Sequence, residues 1–187
     1  IYLGHYGEYE GQDFEIISEL PDSFSYLINK NRKTDSLNFW FKGAALDSFK
    51  FSFPMRDTLL TKTVFFNQEP QPDSLVIKSN TKGNLSLTEP YLLSSNLPIV
   101  EIDSTKVEVF GKDSIPVPVA LEILENYDRI ALQFEALPND EFSINIFPNA
   151  LVDFLGNTND TVKFGIRTKK IEDYGTIFLR LQYEDPE

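Results

Sequence analysis

The chain has 187 residues with no cysteine and a single histidine, His5, and its net charge is −12 at pH 7. This composition excludes disulfides, thiol catalysis, cysteine-ligated metals and any multi-histidine zinc site. A chain this acidic is repelled by phosphate backbones and anionic membrane surfaces, so nucleic acid is not expected as a partner. The hydrophobic fraction of 41% and the sixteen phenylalanines are typical of a packed protein of one large domain or two smaller ones.

Five segments open on aspartate, serine and a large apolar residue, and apolar residues then alternate with polar ones. A period of two residues is the mark of a half-buried β-strand. Aspartate and serine side chains bond nearby backbone N–H groups and favour turns. We therefore interpret the motif as turn chemistry ahead of a strand, and not as part of a shared acidic site. The five motifs begin at Asp22, Asp35, Asp47, Asp73 and Asp113.

Further strands are predicted from the same alternation, and no segment has the apolar spacing of a long helix. Pro116 and Pro118 lie within one alternating run, and because proline cannot donate to a ladder, that strand is predicted at a sheet edge. Many short strands at intervals of about 8 to 12 residues are typical of sandwiches and barrels. The predicted fold is all-β, with β-sandwich domains in tandem. The further strands cover residues 13–19, 58–66, 85–88, 98–102, 106–110, 129–135, 141–147, 162–168 and 176–182.

The polar segment at residues 79–84 is the best candidate for a boundary between domains. We therefore predict a first β-sandwich over residues 1–80 and a second over residues 84–170. Residues 171–187 hold a terminal strand that either closes the second sandwich or begins a further domain. Since the chain starts with isoleucine and has no basic-then-apolar leader, we expect it to be a piece of a longer protein.

Residues 142–168 carry the most informative pattern, in which two alternating strands flank the sequence FPNALVDFLGN. Pro148 suits a first helical position and Gly156 the position after a helix, so a single helical turn is predicted between the strands. Leu151 and Phe154 are three residues apart, so both are predicted to plug the end of the sandwich.

This segment resembles the bacterial Ig-like domain of S-layer and envelope proteins, which has a turn reading A-L-x-D-x-x-G-N and a last strand ending F-x-F-x-T. Ile166 stands where that family has its second phenylalanine. The resemblance covers about residues 84–170, and Pro98-Ile99 is similar to the family's early N-P-I strand. The matching residues are Ala150, Leu151, Asp153, Gly156, Asn157, Phe164 and Thr168.

More loosely, the whole chain, including the sequence TDSLNFWFK, resembles the middle part of multi-domain Ig-like envelope lipoproteins. The resemblance implies a non-catalytic module with a structural, adhesive or protein-interaction role. It also implies export, a periplasmic or surface position, and an outer-membrane lipid anchor outside this chain. The expected partner is a protein or a glycan at the cell surface, and no cofactor is expected.

Trp40 is the single tryptophan, and by alternation it faces opposite to Phe39 and Phe41. Three interpretations are open: such a side chain packs under a loop, contacts a neighbouring domain, or stacks on a sugar ring. The last interpretation would make the chain a carbohydrate-binding module of a glycan-uptake system, which is the alternative function.

Asp153, Asn157, Asn159 and Asp160 place four oxygen-bearing side chains within eight residues. Calcium takes six to eight oxygen ligands, so a weak calcium site is one interpretation. The spacing is not that of an EF-hand, and the same residue types shape turns, which is the interpretation we favour.

Catalysis has few candidates in this composition. His5 stands in an N-terminal segment rich in glycine and tyrosine, and we expect it at the surface or at a strand end. A hydrolase would therefore need a pair of carboxylates at a set separation, which a sequence with 29 acidic residues cannot specify. No enzymatic activity is predicted, and a carboxylate-based hydrolase is the third alternative.

Overall fold

The computed structural model describes residues 2–4, 15–31, 36–43, 46–55, 58–65, 74–175 and 180. Over these residues the chain is all-β: seventeen strands form five sheets, with three short 3-10 turns and no α-helix. The predicted all-β class is thereby confirmed, and the several sheets are consistent with a β-sandwich. The prediction for His5 lies outside the described residues, as does the strand predicted over residues 176–182 apart from residue 180.

The six N-terminal strands form two antiparallel three-stranded sheets, in the orders β1-β4-β3 and β2-β5-β6. Asp22 and Ser23 form a turn that ends one residue before β3, and Ser36 and Ser48 are the first residues of β4 and β5. The strands are β1 (Tyr2–Gly4), β2 (Glu15–Ile16), β3 (Ser25–Asn31), β4 (Ser36–Lys42), β5 (Ser48–Met55) and β6 (Thr58–Phe65).

Phenylalanines fill the core of these N-terminal strands. Phe39, Phe49 and Phe51 are at most 3% exposed, and the rings of Phe39 and Phe49 stack with centroids 5.0 Å apart. Because side chains alternate along a strand, the burial of Phe39 turns Trp40 to the opposite face of β4.

The C-terminal strands form a five-stranded sheet, a four-stranded sheet and a two-stranded pair. Their orders are β12-β11-β15-β17-β8, β13-β14-β9-β7 and β10-β16. Neighbours are antiparallel except β17 and β8. The strands are β7 (Ile77–Ser79), β8 (Asn84–Leu85), β9 (Tyr91–Ser95), β10 (Ile99–Ile102), β11 (Val107–Phe110), β12 (Pro116–Val117), β13 (Ala120–Ile123), β14 (Arg129–Gln133), β15 (Glu141–Ile146), β16 (Leu151–Asp153) and β17 (Val162–Thr168).

A second hydrophobic cluster, separate from the phenylalanine core, lies among these C-terminal strands. It includes Tyr91, Ile130, Ile144 and Leu151, each at most 1% exposed, and Ile77 of β7 packs against it. The polar segment at residues 79–84 is the connection from β7 to β8. Its carbonyl at residue 83 accepts a hydrogen bond from the backbone of β17 at 2.7 Å.

The helical turn predicted after Pro148 is wrong, since Leu151–Asp153 form strand β16, which pairs with β10. Backbone bonds to distant residues outweigh the local helix signal here, as in the 2.8 Å bond from Phe154 N to the carbonyl of Pro98. The predicted burial of Leu151 and Phe154 is confirmed, because they are 1% and 8% exposed.

The alternating run after Asp113 is divided at Pro118 into β12 and β13, which belong to different sheets. Proline has no N–H with which to continue the ladder, so the chain changes sheet at this point. Of the described strands, β12 ends the five-stranded sheet, which confirms the predicted edge position of Pro116.

Candidate functional site

A cleft of about 730 Å³ lies where the N-terminal strands β3 and β4 meet the C-terminal strands. Its volume is within the range of about 300 to 1,000 Å³ that is usual for small-molecule sites. Ten of its fourteen lining residues have polar or charged side chains, and four have apolar or aromatic ones, which suits a ligand with both polar groups and apolar faces. The lining residues are Asn29, Lys30, Asn38, Trp40, Val76, Lys78, Ser94, Ser95, Asn96, Leu97, Pro98, Asn126, Asp128 and Arg129.

One wall of the cleft consists of the face of β3 and β4 that points away from the phenylalanine core. Trp40 and Asn38 share this face of β4, opposite Leu27 and Asn29 of β3. The indole Nε1 of Trp40 donates to Oδ1 of Asn29 at 3.0 Å. This bond fixes the ring orientation, so the structure places Trp40 as a partly buried wall of the cleft.

Asn126 joins this wall to the C-terminal strands. Its Oδ1 accepts from the backbone N of Lys30 at 2.7 Å, and its Nδ2 donates to the backbone O of Lys30 at 2.6 Å. Asn29 Nδ2 adds a 3.0 Å bond to the backbone O of Asn126. Within the described chain β3 has β4 as its one neighbour, so the Asn126 side chain occupies the open edge of β3 as a neighbouring strand would.

We call the bonds of Asn126 with Asn29 and Lys30 the Asn126 contact. A turn holds Asn126 in place for this contact. It lies between β13 and β14, where Tyr127 has a φ of 58° and its backbone N donates to the carbonyl of Leu124 at 2.8 Å. The Asn126 side chain is only 8% exposed. Sequence reasoning missed this residue, because an asparagine followed by tyrosine indicates no more than a turn.

The opposite wall carries a cross-strand row of three polar side chains, Lys78, Ser94 and Arg129. Lys78 of β7 and Arg129 of β14 both stand in register with Ser94 of β9. The neighbouring Asp128 lies with Oδ1 3.7 Å from Nε of Arg129. Both of these atoms are buried, and neither has a hydrogen-bond partner within the described part of the chain.

A second contact between the two sets of strands lies at the turn after β16. Nζ of Lys42 stands 4.8 Å from the centre of the Phe154 ring. A cation over an aromatic face is attracted by the ring quadrupole, by roughly 0.5 to 1 kcal/mol at exposed sites.

Asp153 and Asn159, two of the four residues of the predicted calcium alternative, use their side-chain oxygens within their own turn. Asp153, 1% exposed, accepts from the backbone N of Leu155 and of Asn157 at 2.8 and 2.9 Å. Its second oxygen accepts from Nδ2 of Asn157 at 2.9 Å. Asn159 Oδ1 accepts from Leu151 N at 2.8 Å, and Asp160 is exposed. Asp153 and Asn159 therefore hold the turn together with the oxygens that a cation would use, and Asn157 contributes its amide nitrogen.

In the described ranges of the chain, no three histidine, cysteine or acidic side chains come together as a metal site would require. Nor does any helix in those ranges have the length and apolar character needed to cross a bilayer. No family model matches the chain, and no curated protein matches it either. The cleft is therefore interpreted from the chemistry of its own residues.

Proposed function

We propose that the chain is a pair of β-sandwich domains in tandem, the second of them Ig-like. In this proposal it serves as a non-catalytic structural or adhesive module of a bacterial envelope lipoprotein. Support comes from the two separate hydrophobic clusters, one among the N-terminal and one among the C-terminal strands. Since β7 packs on the second cluster, the junction is proposed between β6, which ends at Phe65, and β7, which begins at Ile77.

The observation that carries the proposal is the Asn126 contact. Two domains joined by a bare linker move relative to one another by default. Here two partly buried side-chain bonds of 2.6 and 2.7 Å tie Asn126 to the edge of β3. Directional bonds in a low-dielectric site favour one arrangement over others, which suits a module that spaces or presents its neighbours.

The proposed location is the cell envelope, with attachment to the outer membrane through a lipid anchor outside this chain. This part rests on the resemblance of the segment from Ala150 to Thr168 to envelope Ig-like domains. The net charge of −12 is compatible with a surface that anionic lipids repel. The proposed partner is another protein or a glycan at the cell surface.

Small-angle X-ray scattering of the wild-type chain and of Asn126→Ala tests the rigid arrangement. We expect one conformation to account for the wild-type profile, and a broader set of conformations to be needed for the variant. A wild-type profile that itself requires widely differing arrangements would contradict a spacing role.

Glycan binding is the second candidate function, and the position of Trp40 favours it. The tryptophan lines the cleft beside the side chain of Asn38, whereas the amides of Asn29 and Asn126 in the same lining are engaged in bonds within the protein. An aromatic face offers an apolar surface to a sugar ring, and amide groups both donate to and accept from hydroxyls.

A glycan array tests the second candidate with Trp40→Ala and with Tyr26→Ala as a matched control. Tyr26 lies on the same sheet and is 47% exposed, but it is outside the cleft lining. We expect wild-type binding that Trp40→Ala abolishes and Tyr26→Ala retains, with circular dichroism checking that both variants fold. An array profile unaffected by Trp40→Ala would count against glycan binding in the cleft.

A further inference from the structure

The charge of the cleft is opposite to that of the chain. Three of the fourteen lining residues are basic, Lys30, Lys78 and Arg129, and one, Asp128, is acidic, which gives the lining a formal charge of +2. The whole chain carries −12. Fields from exposed charges fade over about 8 Å at physiological ionic strength, and clefts focus the field of the charges that line them. An anion inside the cleft therefore meets mainly its basic residues.

The row of Lys78, Ser94 and Arg129 places two of these cations on either side of a hydroxyl. Neighbouring strands lie about 4.8 Å apart, so the backbones of Lys78 and Arg129 stand about 10 Å apart across β9. Two long side chains can converge from that spacing on a carboxylate above Ser94. The Ser94 hydroxyl donates to the backbone O of Lys78 at 3.3 Å, which leaves its lone pairs to accept from a sugar hydroxyl.

The pairing of Asp128 and Arg129 leaves hydrogen-bonding capacity unused. Their closest atoms are 3.7 Å apart, beyond hydrogen-bond distance, and both atoms are buried without a partner within the described residues. The ion pair places the guanidinium of Arg129 at the cleft, and the Arg129 side chain remains 28% exposed to a ligand there.

We propose that the cleft binds an acidic oligosaccharide, with its carboxylate held by Lys78 and Arg129 and its rings against Trp40. This proposal rests on the glycan-binding function put forward for the cleft and specifies its ligand class. Guanidinium and carboxylate groups match as bidentate partners, while Trp40 and Asn38 on the facing wall meet the uncharged part of the sugar.

Trp40 reports on binding directly, because it is the single tryptophan of the chain. The experiment follows its fluorescence while oligosaccharides of galacturonate, hyaluronan, alginate and heparosan are added, each beside its carboxyl-reduced neutral counterpart. Poly-L-glutamate serves as a charged probe without sugar rings. We expect at least one acidic glycan to bind, more weakly at high salt, and its neutral counterpart to bind at least about tenfold more weakly.

Substitutions then locate the carboxylate. Lys78→Gln is expected to weaken binding of the acidic glycan about two- to fivefold, as for an exposed charge. Arg129→Gln, whose side chain is 28% exposed, is expected to weaken it at least about tenfold. Lys163→Gln, an exposed lysine of β17 outside the cleft, is the matched control and is expected to leave binding unchanged.

Three results would overturn the proposal, and they are distinguishable. Equal binding of acidic and neutral forms would retain glycan binding but remove the carboxylate site. Binding of neither form of any of the four glycans would remove both. Poly-L-glutamate binding as tightly as the best glycan, with the same loss in Arg129→Gln, would assign the row to an acidic protein instead.

Discussion

Asn126→Ala is the substitution that most directly perturbs the connection between the N-terminal and C-terminal strands. It removes the side-chain bonds of 2.7 and 2.6 Å to the backbone of Lys30. The bond from Asn29 to the backbone O of residue 126 does not depend on the side chain and can persist. Lys30, at the edge of β3, is therefore the residue whose backbone loses its side-chain partners in this variant.

The expected cost follows from the number and burial of the lost bonds. Each hydrogen bond contributes about 0.5 to 1.5 kcal/mol, and a buried group left without a partner costs about 1 to 3 kcal/mol. Because Asn126 is 8% exposed, water replaces its amide only in part. We expect the N-terminal strands, which the Asn126 contact stabilises, to lose about 2 to 3 kcal/mol of their free energy of unfolding.

Urea unfolding followed by Trp40 fluorescence measures this effect, since the tryptophan belongs to β4. With a denaturant slope of about 2 kcal/mol per molar urea, the middle of the usual range of about 1 to 3, the midpoint should fall by about 1 to 1.5 M. Asn80→Ala is the matched control. Its side chain makes the same kind of paired bonds, to the backbones of Pro90 and Leu92, but entirely within the C-terminal strands.

We expect the control to lower stability without preferentially lowering the Trp40 midpoint. An Asn126→Ala variant that left the Trp40 transition in place, or an Asn80→Ala variant that shifted it by the same amount, would show that the Asn126 contact does not stabilise the N-terminal strands.

Three further predictions concern the two cores and the turn after β16. Asp153→Asn should lower the free energy of unfolding by about 1 to 2 kcal/mol, because an amide cannot accept all three bonds of the carboxylate. The exposed Asp160→Asn should change it by less than about 0.5 kcal/mol. In thermal melts of the wild-type chain, a clear rise in the melting temperature on adding calcium would overturn the turn interpretation. Phe49→Ala should lower the free energy of unfolding followed by Trp40 fluorescence by about 3 to 5 kcal/mol. Ile144→Ala should instead lower the free energy followed by far-ultraviolet circular dichroism of the C-terminal strands by about 2 to 5 kcal/mol. Equal shifts of both signals by each variant would contradict separate cores. Burial raises the pKa of the Tyr91 phenol above its ordinary value. Stability should therefore fall as the pH rises above about 10, where the unfolded tyrosine ionises first. A Tyr91→Phe variant that showed the same alkaline loss would assign it elsewhere.

Strands with one wet face were predictable from the sequence alone. Strand β17 has the predicted bounds, Val162–Thr168, and β15 differs from its prediction by one residue at its end. Both lie in a sheet whose inner face packs on the core, so that apolar and polar residues alternate.

Strand β9 was not predicted, although it is central to its sheet. It lies between β14 and β7, and its sequence YLLSS shows no alternation of apolar and polar residues. A strand covered by neighbours on both edges and partly buried on both faces loses the period-two signal on which the prediction depends.

The cleft could be predicted only in part. Alternation correctly placed Trp40 on the face opposite to Phe39, but the opposing wall depends on how two sets of sheets pack together. The contact between Asn126 and Lys30 joins residues 96 positions apart. An amide that pairs with a distant backbone leaves no pattern in the sequence, because any backbone edge can accept it.

The most direct test of the account is whether Trp40 faces the C-terminal strands across the cleft. The chain has no cysteine, so one introduced thiol carries a nitroxide quencher to a single position. Val76→Cys labels the cleft lining, and Leu137→Cys labels an exposed position beyond the far end of β14. We predict strong quenching of Trp40 fluorescence from position 76 and little from position 137; equal quenching from both positions would contradict the account.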